Sequence, residues 1–403
     1  MISNSVVKPD FRKTYPQGGD KACLMRATKR SPLVGMLNNV EPSPFLAKAP
    51  YAKKEGCMLV ELEISPENIK RLSSGNPLVG TFWDGKSLSL VEAPIEDISM
   101  VYNFFLHNHS LDLDESSNQF FQILRSLDAK GKPFLNAPEI YRIAHDKWET
   151  SIFFGEHGFP APKTFQFNQK NLGEALLISD FAFIKDTGSY GGDYQVVVSK
   201  ISRGYSAQAA KKRQILENLD QVAEFASTFC KPGHSIVQAG IRVPKIRDRN
   251  WDIRAVFQRG ANGILDMTTY YLRVGKANSP QANIAKGGYA EDPLAVFSNS
   301  RKIGNMLRTL GLEVIFALEN KTGKAAGELG LDFIFDQAGK PYLLEINSII
   351  GSGGPADLSG RLADGIRTHL GNSLRSKWGG IMEKMMSNPF KYAQHLWGQH
   401  GQI

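Results

Sequence analysis

The segment of residues 331–347 constrains the fold of this chain more than any other stretch, because two apolar runs flank a turn that contains glycine. This pattern is typical of a β-hairpin. If the turn centres near residues 338–339, Asp332 lies opposite Glu345, and opposed Cβ atoms in such a pair are roughly 5 Å apart. Asn347 lies two residues beyond Glu345 and therefore on the same face of the sheet.

Two carboxylates that approach each other without a cation are costly to bury. A hard divalent cation removes that cost, and Mg²⁺ typically takes one or two carboxylates while phosphate oxygens fill other positions. The hairpin therefore predicts a magnesium site formed by Asp332, Glu345 and Asn347. The alternative, an exposed hairpin with solvated charges, is disfavoured by apolar neighbours such as Phe333 and Leu343.

A second segment points to phosphate. Residues 181–185 form an apolar run that ends in Lys185, and three glycines follow within residues 188–192. Glycines let backbone N–H groups approach a phosphate closely, and the lysine adds a point charge. Taken alone, the segment is equally well explained by an ordinary hairpin turn. It does not match the P-loop pattern, and the order of loop and lysine is not that of a protein kinase.

Two arginines lie on candidate strands that lead toward the same region. Arg254 ends the run Trp-Asp-Ile-Arg, and Arg273 ends the run Tyr-Leu-Arg. A guanidinium group fits phosphate or carboxylate with a fork of donors. Because a single surface arginine is more often inert, this pair indicates a site only together with the hairpin and the lysine.

The rest of the chain predicts a mixed α+β or α/β protein with several domains. Residues 1–30 are polar and basic and are expected to form a poorly ordered leader. Residues 31–135 alternate short apolar runs with turns and predict a small α/β domain. The apolar spacing predicts one long helix over residues 206–229, and residues 371–403 predict a basic helical tail.

Composition excludes several classes of protein. Of the 403 residues, 42% are apolar and 22% are charged, which is ordinary for a folded globular chain. No run approaches the roughly 18 apolar residues that a spanning helix needs, and the N-terminal residues lack the apolar core of a signal peptide. The three cysteines offer no disulfide framework, so a cytoplasmic location is expected. The net charge of +8 is interpreted as a solvated basic surface rather than a specific nucleic-acid site.

The order of these features resembles the ATP-grasp superfamily over about residues 136–357. It runs from Asp146-Lys147 through Gly-x-Pro-x-Pro, the strand lysine with its glycine loop, Asp-x-Arg, Asn-x3-Gly-Gly and Asp-x12-Glu-x-Asn. Within the superfamily the chain is most similar to the YheC/YheD family of endospore coat-associated proteins. The motifs are loose individually, but their ordered combination is specific.

The resemblance implies the ATP-grasp fold, in which two α+β lobes grip ATP. The small lobe would comprise residues 136–234, and the large lobe, with the metal site, residues 235–370. The small α/β domain of residues 31–135 would precede them, and the helical tail of residues 371–403 would follow.

By matching position, the resemblance also implies a role for each motif. Lys147 and Lys185 would contact the ATP phosphates, and Lys185 would act in catalysis together with Arg254 and Arg273. Two Mg²⁺ ions would be held by Asp332, Glu345 and Asn347. The other residues that bind the nucleotide would be Gly188, Ser189, Tyr190, Gly191, Gly192, Gln238, Ala239, Ile241 and Asn283.

The activity that the resemblance implies is an ATP-dependent ligase. Such an enzyme joins a carboxylate to an amine or a thiol through an acyl phosphate, and its substrates would be small molecules or peptides. Two alternatives stay open: an ATP-grasp kinase that phosphorylates a small-molecule hydroxyl, and a spore-coat-associated structural protein that binds ATP. The resemblance adds association with spores to the expected cytoplasmic location.

Overall fold

The computed structural model describes residues 31–38, 44–104, 115–188, 195–209, 212–230, 233–277, 279–350 and 372–400, and three sheets organise them. The predicted leader lies outside this described part, as do four of the predicted loop residues, Ser189, Tyr190, Gly191 and Gly192. The mixture of helices and sheets confirms the α+β class. Among the described residues, no helix is both long and apolar enough to cross a membrane.

The first sheet belongs to the N-terminal region. Its strands are β1 (Leu33–Asn38), β2 (Met58–Leu62), β3 (Leu78–Trp83), β4 (Leu88–Ala93) and β5 (Ile98–Phe104), and its helices are α1 (Phe45–Lys54), α2 (Pro66–Ser73) and α3 (Glu115–Ala129). The strand order is β4-β3-β2-β1-β5, and β1 is parallel to both β2 and β5. Alternate residues of β1 pack toward opposite faces, with Leu37 on the side of α3 and Met36 on the side of α1. The region therefore combines helices with a mixed sheet, and its extent as a separate domain stays a prediction.

The second sheet is antiparallel throughout. The elements of this part of the chain are α4 (Pro138–His145), α5 (Lys147–Glu156), β6 (Thr164–Gln166), α6 (Gln169–Ile178), β7 (Phe181–Asp186), β8 (Gln195–Lys200), β9 (Tyr205–Ala209), β10 (Lys212–Leu216), α7 (Leu219–Ser227) and β11 (Ser235–Ala239). The strand order is β10-β9-β8-β7-β11-β6. Leu172 of α6 and Val222 of α7 cover one face by packing against Ile184 of β7.

The long helix predicted over residues 206–229 is wrong. The chain there forms the β9–β10 hairpin and then the short helix α7. Asn218 caps this helix, because its side chain accepts a hydrogen bond from the Gln221 amide. Alanine, lysine and glutamine are good helix formers, so local propensity favours a helix. Pairing with β8 overrides it, because it buries Ala207 and Ala209 on one face.

The third sheet is also antiparallel and carries the predicted hairpin. Its strands are β12 (Trp251–Arg259), β13 (Leu265–Val274), β14 (Tyr289–Glu291), β15 (Glu328–Phe335) and β16 (Pro341–Asn347), in the order β14-β13-β12-β15-β16. Between β14 and β15 lie α8 (Pro293–Val296) and α9 (Ser300–Thr322). Leu307 and Val314 of α9 pack against Phe257 and cover one face of the sheet.

The predicted helical tail forms a helix that packs against the rest of the protein. It forms α10 (Asn372–His400), which covers the other face of the third sheet. Trp378 and Met385 share a core with Val256 and Tyr271, and Phe390 packs further on, against the core of the first sheet. The helix therefore joins the third sheet to the N-terminal domain.

Sheet membership does not follow the lobe boundary predicted between residues 234 and 235. β11 begins at Ser235, yet it lies inside the second sheet, between β7 and β6. The helices α4 and α5 precede the second sheet along the chain but pack against the third, where Ile143 and Phe153 share a core with Leu331. As a result, side chains from α5, β7, β11 and β16 lie next to one another where the second and third sheets meet.

Gly311 lies where α9 crosses β12, and a Cβ atom at this position would overlap the ring of Phe257. We expect Gly311→Ala to destabilise the protein by about 1–3 kcal/mol, because a packed core must shift to admit the methyl group. Gly379→Ala in α10 is the matched control, since a Cβ there meets no atom within 4 Å and alanine is the better helix former. Denaturant unfolding measures both, and equal stability of the two variants would contradict this packing.

Candidate functional site

A cleft opens between the second and third sheets. It is floored by β7 and β11 on one side, by α5 at one end and by β16 on the other side. Its polar lining consists of Lys147, Ser151, Thr164, Lys185, Gln238 and Glu345. Two lysines and one carboxylate therefore share a single concave site.

Lys185 reaches this cleft from the end of β7. Its backbone pairs with Ile236 of β11, and its Nζ donates to Gln238 Oε1 over 2.8 Å. The amide nitrogen of Gln238 in turn donates to Thr164 Oγ1 over 3.1 Å, so the lysine is held by a chain of two hydrogen bonds. Burial lowers the pKa of Lys185 to about 8, helped by the charge of Lys147 and opposed by Glu345. The ammonium group is thus desolvated and suited to an anionic ligand.

Lys147 enters the cleft from the first turn of α5. The side chain of Asp146 caps this helix by accepting from the amides of Trp148 and Glu149, over 2.7 and 3.0 Å. The Lys147 amide donates to the Thr187 carbonyl over 3.0 Å, which ties the start of the helix to the end of β7. Burial lowers the pKa of the Lys147 side chain as well, with Glu345 opposing.

The β15–β16 hairpin pairs the two predicted carboxylates, but only because one strand contains a β-bulge. The tight turn is closed by Asp336, whose amide donates to the Lys340 carbonyl, and Phe333 then pairs with Leu343. Continued without a break, that register would pair Asp332 with Leu344. A β-bulge at Leu344 inserts one residue, so Asp332 pairs with Glu345, as the sequence predicted.

Four side chains consequently form one row across four strands. Tyr271 of β13 pairs with Arg254 of β12, Arg254 pairs with Asp332 of β15, and Asp332 pairs with Glu345 of β16. Directly paired residues present their side chains on the same face of an antiparallel sheet. We call this set the cross-sheet row; its Glu345 end opens into the cleft.

Asp332 is the electrostatic centre of the row. It is fully buried and accepts from Arg254 Nε at 2.6 Å, from Arg254 Nη2 at 2.7 Å and from Arg273 Nη2 at 2.7 Å. Arg273 also makes a two-pronged pair with Asp252, at 2.6 and 2.7 Å. Burial alone would raise the pKa of Asp332, but the two guanidinium groups outweigh it and hold the pKa well below the usual range. The two arginines therefore favour the charged form of this carboxylate.

Glu345 has the opposite tendency. Burial raises the pKa of its carboxyl, and the neighbouring negative charge of Asp332 raises it further. Arg254 Nη2 is 3.8 Å from Glu345 Oε1, too far for a hydrogen bond, and Asn347 Nδ2 approaches the same oxygen at 3.4 Å. The pair of carboxylates is thus incompletely neutralised at its cleft end.

These groups fit a hard cation. Among the described residues, no group of three His, Cys, Asp or Glu side chains is arranged as a metal cluster. Two carboxylates and one amide oxygen suffice for Mg²⁺, however, because that ion keeps several positions for water and phosphate. The hydrogen bonds to Asp332 occupy three of the roughly four acceptor positions of a carboxylate, and Asn347 keeps its amide oxygen.

Other residues that the sequence singled out lie apart from the cleft lining. Ala239 is buried in the core of the second sheet, and the Asn283 carbonyl closes a turn by accepting from the Gly288 amide at 3.0 Å. Ile241 follows β11 and is half-buried. Gly188 lies at the end of β7, where its amide donates to Asp186. Any contact of these four with a nucleotide stays a prediction.

Sequence reasoning missed several residues that line the cleft. They include Ser151 and Phe154 of α5, Thr164 of β6 and Leu344 at the bulge. The spacing of Ser151 from Lys147, four residues along one helix, was an available signal, since such residues share a helix face. The bulge has no comparable signature in the sequence.

Comparison with known proteins identifies a family for this chain. A family described as YheC/D-like ATP-grasp matches residues 142–356, which is more than half of the chain. Over 165 residues the chain is 22% identical to the endospore coat-associated protein YheD of Bacillus subtilis (strain 168). That match covers 39% of this chain and 36% of the relative, so it spans only about a third of that protein.

One solved structure of another protein supports the fold, and a second is similar to a lesser degree. The ADP complex of purK, an N5-carboxyaminoimidazole ribonucleotide synthetase, superposes with a TM-score of 0.51 at 13% identity over 80% of this chain and 72% of that one. D-alanyl-alanine synthetase A of Vibrio cholerae O1 biovar eltor str. N16961 gives 0.48 at 14% identity over 89% and 99%. The fold, the ordered motifs and the extent of the family match lead to one conclusion: the chain belongs to the YheC/D-like ATP-grasp family.

Proposed function

We propose that this protein is an ATP-dependent ligase that activates a carboxylate as an acyl phosphate and transfers the acyl group to an amine or a thiol. The observation that supports this most is the continuity of the cleft with the cross-sheet row. Two lysines, a carboxylate pair and two arginines follow one another along a single surface. Phosphoryl transfer depends on such positioning and charge neutralisation rather than on covalent help from the protein.

In this proposal the cleft holds ATP. Lys147 and Lys185 neutralise its phosphates, and Gln238 lies on the strand that would border the adenine. The contacts implied for Gly188 and the loop after it, for Ala239 and Ile241, and for Asn283 are part of the same proposal. Desolvated ammonium groups on two different elements hold a phosphate chain in one orientation.

Mg²⁺, as two ions, would be held by Asp332, Glu345 and Asn347. The ions would neutralise negative charge that develops on the transferring phosphoryl group. Arg254 and Arg273 fix Asp332 in place, and Asp332 engages Arg254 through Nε and Nη2. Within the described ranges Nη1 of Arg254 would remain for a substrate. Both arginines would stabilise the charge of the acyl phosphate.

Asp332 and Glu345 already have other roles in the site, and this favours a substrate that is a carboxylate over one that is a hydroxyl. A hydroxyl must lose a proton to a base as it attacks phosphorus. Among the described residues of the row, Asp332 is engaged by two arginines and Glu345 is assigned to the metal, so neither serves as that base. A carboxylate is already ionised at neutral pH and needs none. The hydroxyl kinase and the non-catalytic spore-coat protein are the two outcomes that the tests below separate from a ligase.

The lowered pKa of the half-buried Lys185 gives the nucleotide affinity a defined pH dependence. Since the pKa of Lys185 is lowered to about 8, the side chain is charged below that pH and loses its proton above it. We expect the Kd for MgADP to be flat up to about pH 8 and then to rise by up to about tenfold per unit. Lys185→Arg keeps its charge throughout, so its Kd should rise less steeply. Calorimetric titrations at several pH values measure both slopes, and identical slopes would contradict the role of Lys185.

The chemistry is tested by the fate of an isotope. Acceptors are first screened by MgATP-dependent ADP release, and a carboxylate found in this way is labelled with ¹⁸O in its carboxyl group. A ligase moves one labelled oxygen into the released phosphate, because that oxygen attacks the γ-phosphorus, and hydroxylamine traps the intermediate as a hydroxamate. Label that stays wholly in the organic product, with phosphate esterified to a hydroxyl, would establish the kinase instead. Absence of ADP release with every acceptor would favour the structural protein.

A further inference from the structure

Tyr271 ends the cross-sheet row on the side away from the nucleotide cleft. Adjacent strands are roughly 5 Å apart, so it lies one strand beyond Arg254 and two beyond Asp332. The phenol is 2% exposed, and it lies within electrostatic reach of Arg254, Arg273 and Asp332. The side chain therefore borders the charged centre of the site without belonging to the metal set.

The ring of Tyr271 is held by α10. Trp378 meets it edge to face, with ring centroids 6.5 Å apart and planes at 88°. The indole of Trp378 is itself fixed, because its Nε1 donates to Asp292 Oδ2 over 2.7 Å, and Lys377 Nζ donates to the same oxygen over 2.8 Å. The position of the phenol is thus set by contacts outside the charged row.

The hydroxyl of Tyr271 is unused by the fold. Within the described part of the chain it makes no hydrogen bond, whereas the hydroxyl of the adjacent Tyr270 donates to the Ser300 carbonyl over 2.6 Å. A hydroxyl that no described protein group engages can donate to a ligand. Because it lies beside two guanidinium groups, an anionic ligand is the partner that fits it.

We propose that Tyr271 is a further catalytic residue whose hydroxyl donates to the carboxylate being activated, so that the acceptor carboxyl group lies over Arg254, Arg273 and Tyr271. This inference rests on the proposed ligase function. One oxygen of the carboxylate attacks the γ-phosphorus, the bond to the ADP oxygen breaks, and ADP leaves. The second oxygen keeps the hydrogen bond from Tyr271 while it becomes the carbonyl of the acyl phosphate. No proton moves in this step.

The test uses the full-length protein and the smallest acyl phosphate. With MgADP and acetyl phosphate the step runs backwards: an ADP oxygen attacks phosphorus, acetate leaves, and ATP is formed and read by luciferase. Tyr271→Phe removes only the hydroxyl and keeps the contact with Trp378. We expect its rate of ATP formation to fall by about tenfold or more, as for the loss of a hydrogen bond to a charged group, while the Kd for MgADP and the midpoint of thermal unfolding stay close to those of the unmodified protein.

Tyr270→Phe is the matched control, because its hydroxyl bonds to the Ser300 carbonyl of α9 on the other face of the sheet. It should lose some thermal stability and keep the rate of ATP formation. If Tyr271→Phe forms ATP as fast as the unmodified protein, the assignment of Tyr271 is overturned while the ligase stands. If the unmodified protein forms no ATP from acetyl phosphate, the two variants are compared by ADP release with the acceptor found in the screen, where the same pattern is expected. If no acceptor supports ADP release either, the proposed ligase function fails, and the inference fails with it.

Discussion

The buried pairing of Asp332 with two arginines is the interaction on which the site depends. Both guanidinium groups would be costly to bury without a counter-charge, and Asp332 with Asp252 supplies it. Because Arg254 and Asp332 are direct cross-strand partners, the sheet register itself fixes the geometry. The charges leave Glu345 under-neutralised at the cleft, where a bound cation would complete the balance. The charges that stabilise the buried sheet are thus the same charges that would bind the cation in the proposed reaction.

A second buried polar chain connects the domains around this site. Lys48 of α1 donates to the Tyr102 hydroxyl over 2.6 Å, and Tyr102 donates to Glu328 over 3.0 Å. Gln258 donates to the other oxygen of Glu328 and also to the Met385 carbonyl of α10. Breaking a buried ion pair on one side leaves an uncompensated charge. The N-terminal domain, the third sheet and α10 are therefore held together through Glu328. This residue lies four positions before Asp332 on β15, and its side chain is on the same face of the sheet.

The sequence predicted those parts of the site that short-range rules govern. The alternation of apolar residues around Asp332 and Glu345 specified a hairpin, and period-two geometry then specified the shared face. The bulge at Leu344 was not foreseen, because an extra residue in one strand leaves no compositional trace. The hairpin of β9 and β10 was misread as a helix, because its residues are good helix formers and only pairing with β8 overrides that preference.

Long-range packing was the other part that sequence reasoning could not supply. The tail has the composition of a surface helix, yet Trp378 is among the largest fully buried side chains. Its ring packs edge to face against Tyr271. The sequence of residues 372–400 does not predict which face of which sheet this helix covers. Likewise Thr164 and Gln238 are far apart in the chain, and only the pairing of β6 with β11 brings them to one cleft.

The measurement that tests the central claim most directly is anomalous diffraction from crystals grown with ADP and Mn²⁺, an ion that prefers the same oxygen ligands as Mg²⁺. The electrostatic arrangement predicts manganese in direct contact with Glu345 and Asn347 and beside Asp332, with the ADP phosphates against Lys147 and Lys185. Manganese bound elsewhere on the chain, or ADP bound outside the cleft, would contradict the assignment of this surface as a phosphoryl-transfer site.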